Sequence, residues 1–162
     1  MPAVGERAYV VGLKLLATRE LAEAQLRERL TRRQFDPTDI DEAITRLKAE
    51  RALDDARTAA AYARTEANVR GRGRLRVLRH LNSLGVAPEL ARQAVDEAFS
   101  ELDESLLIER VLERRLRPGE STRNPKVAVR LHRYLIAQGF DFDQIRAALR
   151  RRQHGLDVGE HT

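Results

Sequence analysis

Two segments of the chain carry basic residues at the same three positions. These residues, called the basic stripe below, are Arg72, Arg76, Arg79, Lys126, Arg130 and Arg133. Within each segment the spacing is i, i+4 and i+7, so in a helix the three side chains lie along one face. Guanidinium groups make bidentate contacts with phosphate and carboxylate groups. The pattern therefore predicts a surface that binds an anionic partner.

The first of these segments contains two further arginines, since residues 70–80 hold five Arg and no acidic residue. The predicted partner-binding residues are therefore Arg70, Arg72, Arg74, Arg76, Arg79, Lys126, Arg130 and Arg133. The alternative is a solvated face that only keeps the chain soluble. Positive charge near a helix N-terminus and like charges at i, i+4 are both unfavourable, so stability alone does not favour the arrangement. An anionic partner would explain it.

Other patterns that support chemistry are absent from the sequence. There is no phosphate-binding glycine loop and no nucleophile elbow, and the four His are not spaced as metal ligands. Asp54-Asp55 could act as an acid–base pair, but their position directly before a predicted helix favours an N-cap. The chain has no Cys. We expect no catalytic residue, no metal and no cofactor, and hence no enzyme activity.

One apolar pattern occurs three times and indicates the elements that position these residues. An apolar pair at i, i+4 is followed five residues later by an apolar residue and then by a helix start. The three sets are Leu26, Leu30 and Phe35; Val77, Leu81 and Val86; and Leu131, Leu135 and Phe140. A further amphipathic segment precedes each set. The pattern therefore predicts three repeats of three helices.

The helix boundaries follow from this periodicity and from turn residues. The nine predicted helices are 4–16, 19–34, 37–50, 55–69, 73–84, 88–100, 103–116, 125–138 and 142–152. Gly85 and Gly139 occupy one slot, typical of a left-handed helix C-cap, where the first repeat has Gln34. Asp36-Pro37 and Asn124-Pro125 are typical N-caps with proline in the first turn. Asp141 and Gln144 indicate a capping box.

Composition supports an all-α protein, with 34% charged and 4% aromatic residues. We expect an elongated, curved array of repeats over residues 1–51, 52–101 and 102–152, followed by a disordered tail over 153–162. The net charge is +5, with 27 Arg and 3 Lys, a ratio that a GC-rich genome would explain. The sequence shows no signal peptide and no membrane-spanning run, so we expect a cytoplasmic monomer that does not contact a membrane.

Over residues 8–151 the chain resembles the RecX family, regulators of the RecA recombinase. The resemblance is most specific in the Leu53-Asp54-Asp55 segment through Tyr62, which is followed by an Arg/Gly-rich turn and by Leu81-Asn82-Ser83-Leu84-Gly85-Val86. Thr58 stands where the family usually has Phe, and this departure predicts weaker packing of the fourth helix.

The resemblance implies three tandem three-helix repeats and a function that the spacing alone does not indicate. Such proteins bind the RecA–DNA filament and inhibit ATP hydrolysis, strand exchange and co-protease activity. On this basis the basic stripe would contact an acidic surface of the recombinase, single- or double-stranded DNA, or both. Several weak contacts along the repeats would add by avidity.

Two other functions remain open at the level of sequence. A helix-turn-helix-like DNA-binding protein would read bases with a helix in the major groove, and the third helix of each repeat would be the reader. The third helices of the first two repeats are net acidic, which disfavours approach to phosphate. A structural adaptor between proteins would bind without any effect on recombinase turnover.

Overall fold

The computed structural model describes residues 4–155, and these residues form nine α-helices and no β-strand. The helices are α1 (Val4–Thr18), α2 (Glu23–Arg32), α3 (Pro37–Ala49), α4 (Asp55–Asn68), α5 (Arg74–Ser83), α6 (Pro88–Ser100), α7 (Glu104–Arg115), α8 (Pro125–Gln138) and α9 (Phe142–Gly155). The predicted all-α fold of three-helix repeats is thereby confirmed. No helix within the described range is long and apolar enough to cross a membrane.

Most predicted helix boundaries agree with the structure within two residues, but the start of the second helix was wrong. Residue 19 was the expected start, whereas α2 begins at Glu23 after an extended Ala22 with φ −72° and ψ 155°. Leu21 and Ala22 are fully buried before the helix starts. At the other end, α9 continues to Gly155, so residues 153–155 of the predicted tail are helical and residues 156–162 lie outside the described range.

The described residues divide into two compact units. One comprises the chain up to Tyr62 together with His80–Ala94, and the other comprises Ala63–Arg79 together with the chain from Val95 onward. This division falls inside α4, α5 and α6, so it does not follow the predicted repeat boundaries, which stay a prediction.

In the first unit the core lies among α1, α2 and α3. Its buried members are Leu21, Leu26, Leu30, Ile40, Ile44, Leu47 and Leu53. Leucines four residues apart on α2 face α3, as the i, i+4 pattern predicts. Each fully buried leucine stabilises the fold by about 1.5–3 kcal/mol through removal of apolar surface from water.

In the second unit the core is formed largely by α7, α8 and α9. Its largest buried side chains include Ile108, Leu112, Leu131, Leu135, Phe140 and Ile145. Leu131, Leu135 and Phe140 are the apolar set predicted for the third repeat, and all three are less than 3% exposed. This core holds α8 in place, and α8 carries half of the basic stripe.

The residues that each turn contacts explain why two of the three repeats have glycine in this slot. Gly85 and Gly139 adopt φ +81° and +92°, so the predicted left-handed C-caps are confirmed. A Cβ on Gly85 would lie 2.4 Å from Ala24 Cβ, and one on Gly139 would lie 2.3 Å from the Arg76 backbone nitrogen. Gln34 is also left-handed, with φ +65°, but its side chain is exposed. Glycine is therefore required where a helix from the preceding repeat contacts the turn.

The Leu53-Asp54-Asp55 segment caps two helices at once. Asp54 Oδ1 accepts the Arg57 backbone N–H of α4 at 3.0 Å, as the N-cap interpretation predicted. Asp55 Oδ1 accepts the Glu23 backbone N–H at 2.8 Å and so caps α2, which lies 32 residues earlier in the chain. Burial raises the pKa of the Asp55 carboxyl above its ordinary value. The two aspartates are accounted for by these structural roles.

The other predicted caps gave mixed results. Asn124 Oδ1 accepts the Lys126 N–H at 3.0 Å, and Asp141 Oδ1 accepts the Gln144 N–H at 3.2 Å. Asp36 occupies the N-cap position of α3, but its side chain makes no capping hydrogen bond. The Gln144 side-chain oxygen is buried without a partner, so only one half of the predicted capping box forms.

Thr58, for which the sequence predicts weaker packing of the fourth helix, lies on α4 and is buried. It is 7% exposed, and its hydroxyl donates to Glu20 Oε2 at 2.7 Å. A hydrogen bond therefore joins α4 to the segment between α1 and α2.

Candidate partner-binding surface

The positive charge of the protein is concentrated in residues 102–152. This range carries twelve Lys and Arg against seven Asp and Glu, whereas residues 1–51 carry ten against nine and residues 52–101 carry eight against seven. All eight predicted partner-binding residues lie in the second compact unit. The availability of each cation to a partner depends on the hydrogen bonds and ion pairs that it forms within the protein.

Two of the predicted residues are held by one buried acid. The Glu66 side chain is 3% exposed, and its two oxygens lie 3.1 Å from Arg70 Nη1 and 3.3 Å from Arg72 Nε. Arg72 also precedes the start of α5, so the interpretation of Arg72 as part of a helical stripe was wrong. Both arginines satisfy a buried carboxylate, which would be costly to leave unpaired.

Arg74 is engaged in a similar way by acids that are distant in sequence. Its guanidinium contacts Asp96 Oδ1 at 2.5 Å and Glu104 Oε1 at 3.3 Å, and its Cζ lies 5.2 Å from the centre of the Phe99 ring. The absence of acids from residues 70–80 therefore does not leave these arginines unpaired. Packing brings the acids to them from α4, α6 and α7.

Arg76 and Arg79 differ in how firmly they are held. Arg76 Nη1 donates to the side-chain oxygen of Gln138 at 3.1 Å, a neutral partner near the end of α8. Arg79 is exposed, and its Nε donates to the Leu75 carbonyl at 3.4 Å within α5. Neither cation forms an ion pair with any described residue, so no acid of the described chain neutralises either charge.

On α8 the three basic residues form a true helical row, but only two are unpaired. Arg130 makes two hydrogen bonds to the Glu120 carboxylate, at 2.9 Å and 2.6 Å. These bonds hold the pKa of Glu120 below its ordinary value. Lys126 and Arg133 are exposed and have no side-chain partner among residues 4–155. Arg79, Lys126 and Arg133 are therefore the most accessible cations of the basic stripe.

Two exposed apolar residues accompany these cations, and the charge pattern of the sequence does not indicate them. Leu75 and Val129 are 52% and 49% exposed. Each lies six residues before the buried leucine of its repeat and four residues before an exposed arginine, Arg79 or Arg133. The repeat alignment could have revealed this shared slot. We call the pairs Leu75–Arg79 and Val129–Arg133 the apolar–basic pairs.

The α8 pair borders a shallow open groove, lined by Pro125, Lys126, Val129, Arg130 and Arg133. Its mixed lining could accommodate an apolar side chain beside a carboxylate. Arg76 contacts Gln138, which lies about 18 Å along α8 from Lys126 at 1.5 Å per residue. Cations without an ion pair therefore lie near both ends of α8.

The described residues offer no metal site, since no group of three or more His, Cys, Asp or Glu is suitably placed. His80, one of the scattered histidines, is exposed, and its ring stacks on Tyr62 with centroids 4.9 Å apart. The exposed cations Arg79, Lys126 and Arg133, by contrast, are suited to binding an anionic macromolecule.

Comparison with known proteins gives a consistent result. Residues 8–47 match the family model of the RecX first three-helix domain, and residues 54–95 match that of the second. The regulatory protein RecX of Chromohalobacter salexigens is 32% identical over 137 residues, covering 85% of this chain and 87% of the relative. The regulatory protein RecX of Halorhodospira halophila is 32% identical over 146 residues, covering 90% and 88%.

A solved structure supports the fold independently. The crystal structure of RecX from Lactobacillus salivarius superposes with a TM-score of 0.77, covering 93% of this chain and 97% of that chain. The sequence identity is 18%, so this likeness bears on the helical architecture alone.

Proposed function

The chain belongs to the RecX family, and we propose that it regulates the RecA recombinase by binding the recombinase–DNA filament. Binding would inhibit ATP hydrolysis, strand exchange and co-protease activity. The observation that carries this proposal is the second unit's set of unpaired exposed cations, Arg79, Lys126 and Arg133, beside exposed apolar residues in matching register.

The apolar–basic pairs favour a protein as the partner at this surface. Phosphate contacts need cations, but they gain nothing from an exposed leucine or valine beside each arginine. Protein interfaces combine a partly apolar centre with charged residues that set orientation and association rate. The partner surface would carry a carboxylate close to an apolar contact.

Repetition of the same pair in α5 and α8 suits a filament of identical subunits. A polymer presents the same surface feature at regular intervals, and a protein with two equivalent pairs can engage two such features. Two linked contacts bind more tightly than either one alone, provided that both can be made together. Inhibition at low ratios of regulator to recombinase would follow if a few bound copies block filament growth.

Reversal of the unpaired cations tests the proposed surface. The variant R79E/K126E/R133E should lose most inhibition of recombinase ATP hydrolysis, because each contact becomes repulsive. R19E/R64E/R92E is a matched control, since it changes the net charge equally at exposed arginines that form no ion pair with a described residue. Equal inhibition by the two variants, with circular dichroism spectra like that of the wild type, would show that this surface is not required for inhibition.

The apolar residues provide a second test that leaves every charge in place. The variant L75S/V129S should weaken binding to the filament by about tenfold, because two exposed side chains that would be buried at the interface are lost. Filament binding is measured by co-sedimentation at two salt concentrations. A wild-type affinity for this variant would show that charge alone acts at the surface.

A further inference from the structure

A pocket lined by arginines lies between the end of α7 and the middle of α8, and it lies outside the surface described above apart from Arg130. Its volume is about 300 Å³, and its lining consists of Arg114, Arg115, Arg117, Arg130, Leu131 and Tyr134. This volume is at the lower end of the range for ligand sites. Four guanidinium groups from two helices and one loop thus border a small space.

The charges around this pocket are not balanced by the protein. Glu120 is the only acid bonded to a lining residue in the part of the chain that the structure describes, and it holds Arg130 through two hydrogen bonds. Arg115 Nη2 donates to the Tyr134 hydroxyl at 2.7 Å, and its Cζ lies 4.0 Å from the centre of that ring. The side chains of Arg114 and Arg117 form no hydrogen bond or ion pair with a described residue, and Arg117 interacts with the Glu120 carboxylate only through its charge. About three positive charges therefore remain uncompensated.

Helix electrostatics explains only part of this cluster. Arg114 and Arg115 lie in the last turn of α7, where positive charge is favourable. Arg117 lies beyond the end of α7, and Arg130 projects from α8. Glu120 fixes the geometry, because it bonds both Arg130 and the Arg117 backbone N–H, the latter at 2.9 Å. The loop after α7 is thereby tied to α8 with the arginines on either side.

We propose that this arginine pocket binds a phosphate group, supplied by a nucleic-acid backbone or by a free polyphosphate. A carboxylate has two oxygens and one charge, which a single guanidinium can satisfy in a bidentate pair. A polyphosphate carries several negative charges and more acceptor oxygens, and a nucleic-acid strand presents successive phosphodiesters, each with one charge and two free oxygens, so either can engage several guanidinium groups at once. The proposal does not depend on contact with the recombinase.

The proposal is tested on the full chain in the absence of recombinase. Two probes are used, a fluorescently labelled single-stranded oligothymidylate and inorganic pyrophosphate. The variant R114E/R117E should weaken binding of the oligonucleotide by about tenfold for each guanidinium. R64E/R92E is the control, with the same change in charge at exposed arginines outside the pocket, and it should stay within about twofold of the wild type. Circular dichroism confirms that each variant is folded.

Competition identifies the source of the phosphate. Displacement of the oligonucleotide by pyrophosphate supports a pocket that accepts phosphate from either source, and binding that resists pyrophosphate supports a site for the nucleic-acid backbone. The charge-preserving variant R114K/R117K should bind several-fold more weakly, because lysine lacks the bidentate fork. The proposal is overturned if neither probe binds the wild type, or if R114E/R117E and R64E/R92E bind equally well.

Discussion

At the scale of single residues, the turn after the second helix of each repeat shows why one slot requires glycine in two repeats and not in the first. All three turns are left-handed, but only Gly85 and Gly139 are in contact with an earlier helix where a Cβ would stand. Gln34 also has the left-handed backbone, which is energetically unfavourable for a residue with a side chain, but its exposed side chain causes no steric conflict.

Substitutions at two of these turns should therefore differ in their effect on stability. Gly85→Ala should lower the free energy of unfolding by about 2–5 kcal/mol, because the left-handed strain adds to a clash with Ala24. Gln34→Gly should change it by less than about 1 kcal/mol, since relief of strain is offset by greater freedom of the unfolded chain. Urea denaturation measures both values. Similar losses in the two variants would contradict this explanation of the slot.

The Glu120–Arg130 pair predicts a dependence of stability on pH. The pKa of Glu120 lies below its ordinary value of 4.5 because Arg130 donates two hydrogen bonds to its carboxylate. A lowered pKa in the folded state means that the contribution is fully present above pH 4.5 and is lost as the pH falls through the folded value. The stability advantage of the wild type over Glu120→Gln should therefore shrink as the pH falls below 4.5. An advantage that grows on acidification would contradict this sign.

At the scale of elements, two adjacent aspartates connect repeats that are distant in sequence. Asp54 caps the helix that it precedes, whereas Asp55 caps α2 of the repeat before it. The sequence predicted the first role from local order, because an N-cap depends on residues two or three positions away. The second role depends on how α4 packs near the start of α2, which local patterns do not specify.

Capping substitutions should separate these roles. Asp55→Ala should lower the free energy of unfolding by about 1 kcal/mol, because the Glu23 N–H loses its acceptor. Asp55→Asn should cost less, because the amide oxygen can still accept and the cost of burying a charge disappears. Asp36→Ala is the control, since the Asp36 side chain makes no capping bond, and it should change stability by less than about 0.5 kcal/mol. Thermal or urea unfolding measures all three, and an equal cost at Asp36 and Asp55 would refute the assignment.

The candidate surface was predictable from sequence in its location but only partly in its membership. Helical periodicity identified α8 and the exposed positions of Lys126 and Arg133. It could not reveal that Glu66 binds Arg70 and Arg72, or that Asp96 and Glu104 bind Arg74. Ion pairs between helices depend on packing over tens of residues, so a local window without acids overstates the number of unpaired cations.

At the scale of the whole molecule, positive charge and repeat structure combine to suggest a division of roles. Residues 102–152 carry most of the excess positive charge. They also carry both the α8 apolar–basic pair and the arginine pocket. In the proposed account, the apolar–basic pairs contact recombinase subunits and the arginine pocket takes phosphate. Variants of one surface should therefore leave binding at the other largely unchanged.

If this protein regulates a recombinase filament, it should change the rate of steady-state ATP hydrolysis by the recombinase. The cognate recombinase is assembled on single-stranded DNA, and this protein is added at ratios well below one copy per recombinase subunit. We expect strong inhibition at these ratios, with R79E/K126E/R133E far less active than R19E/R64E/R92E. Unchanged hydrolysis, even with excess protein at low salt, would contradict it.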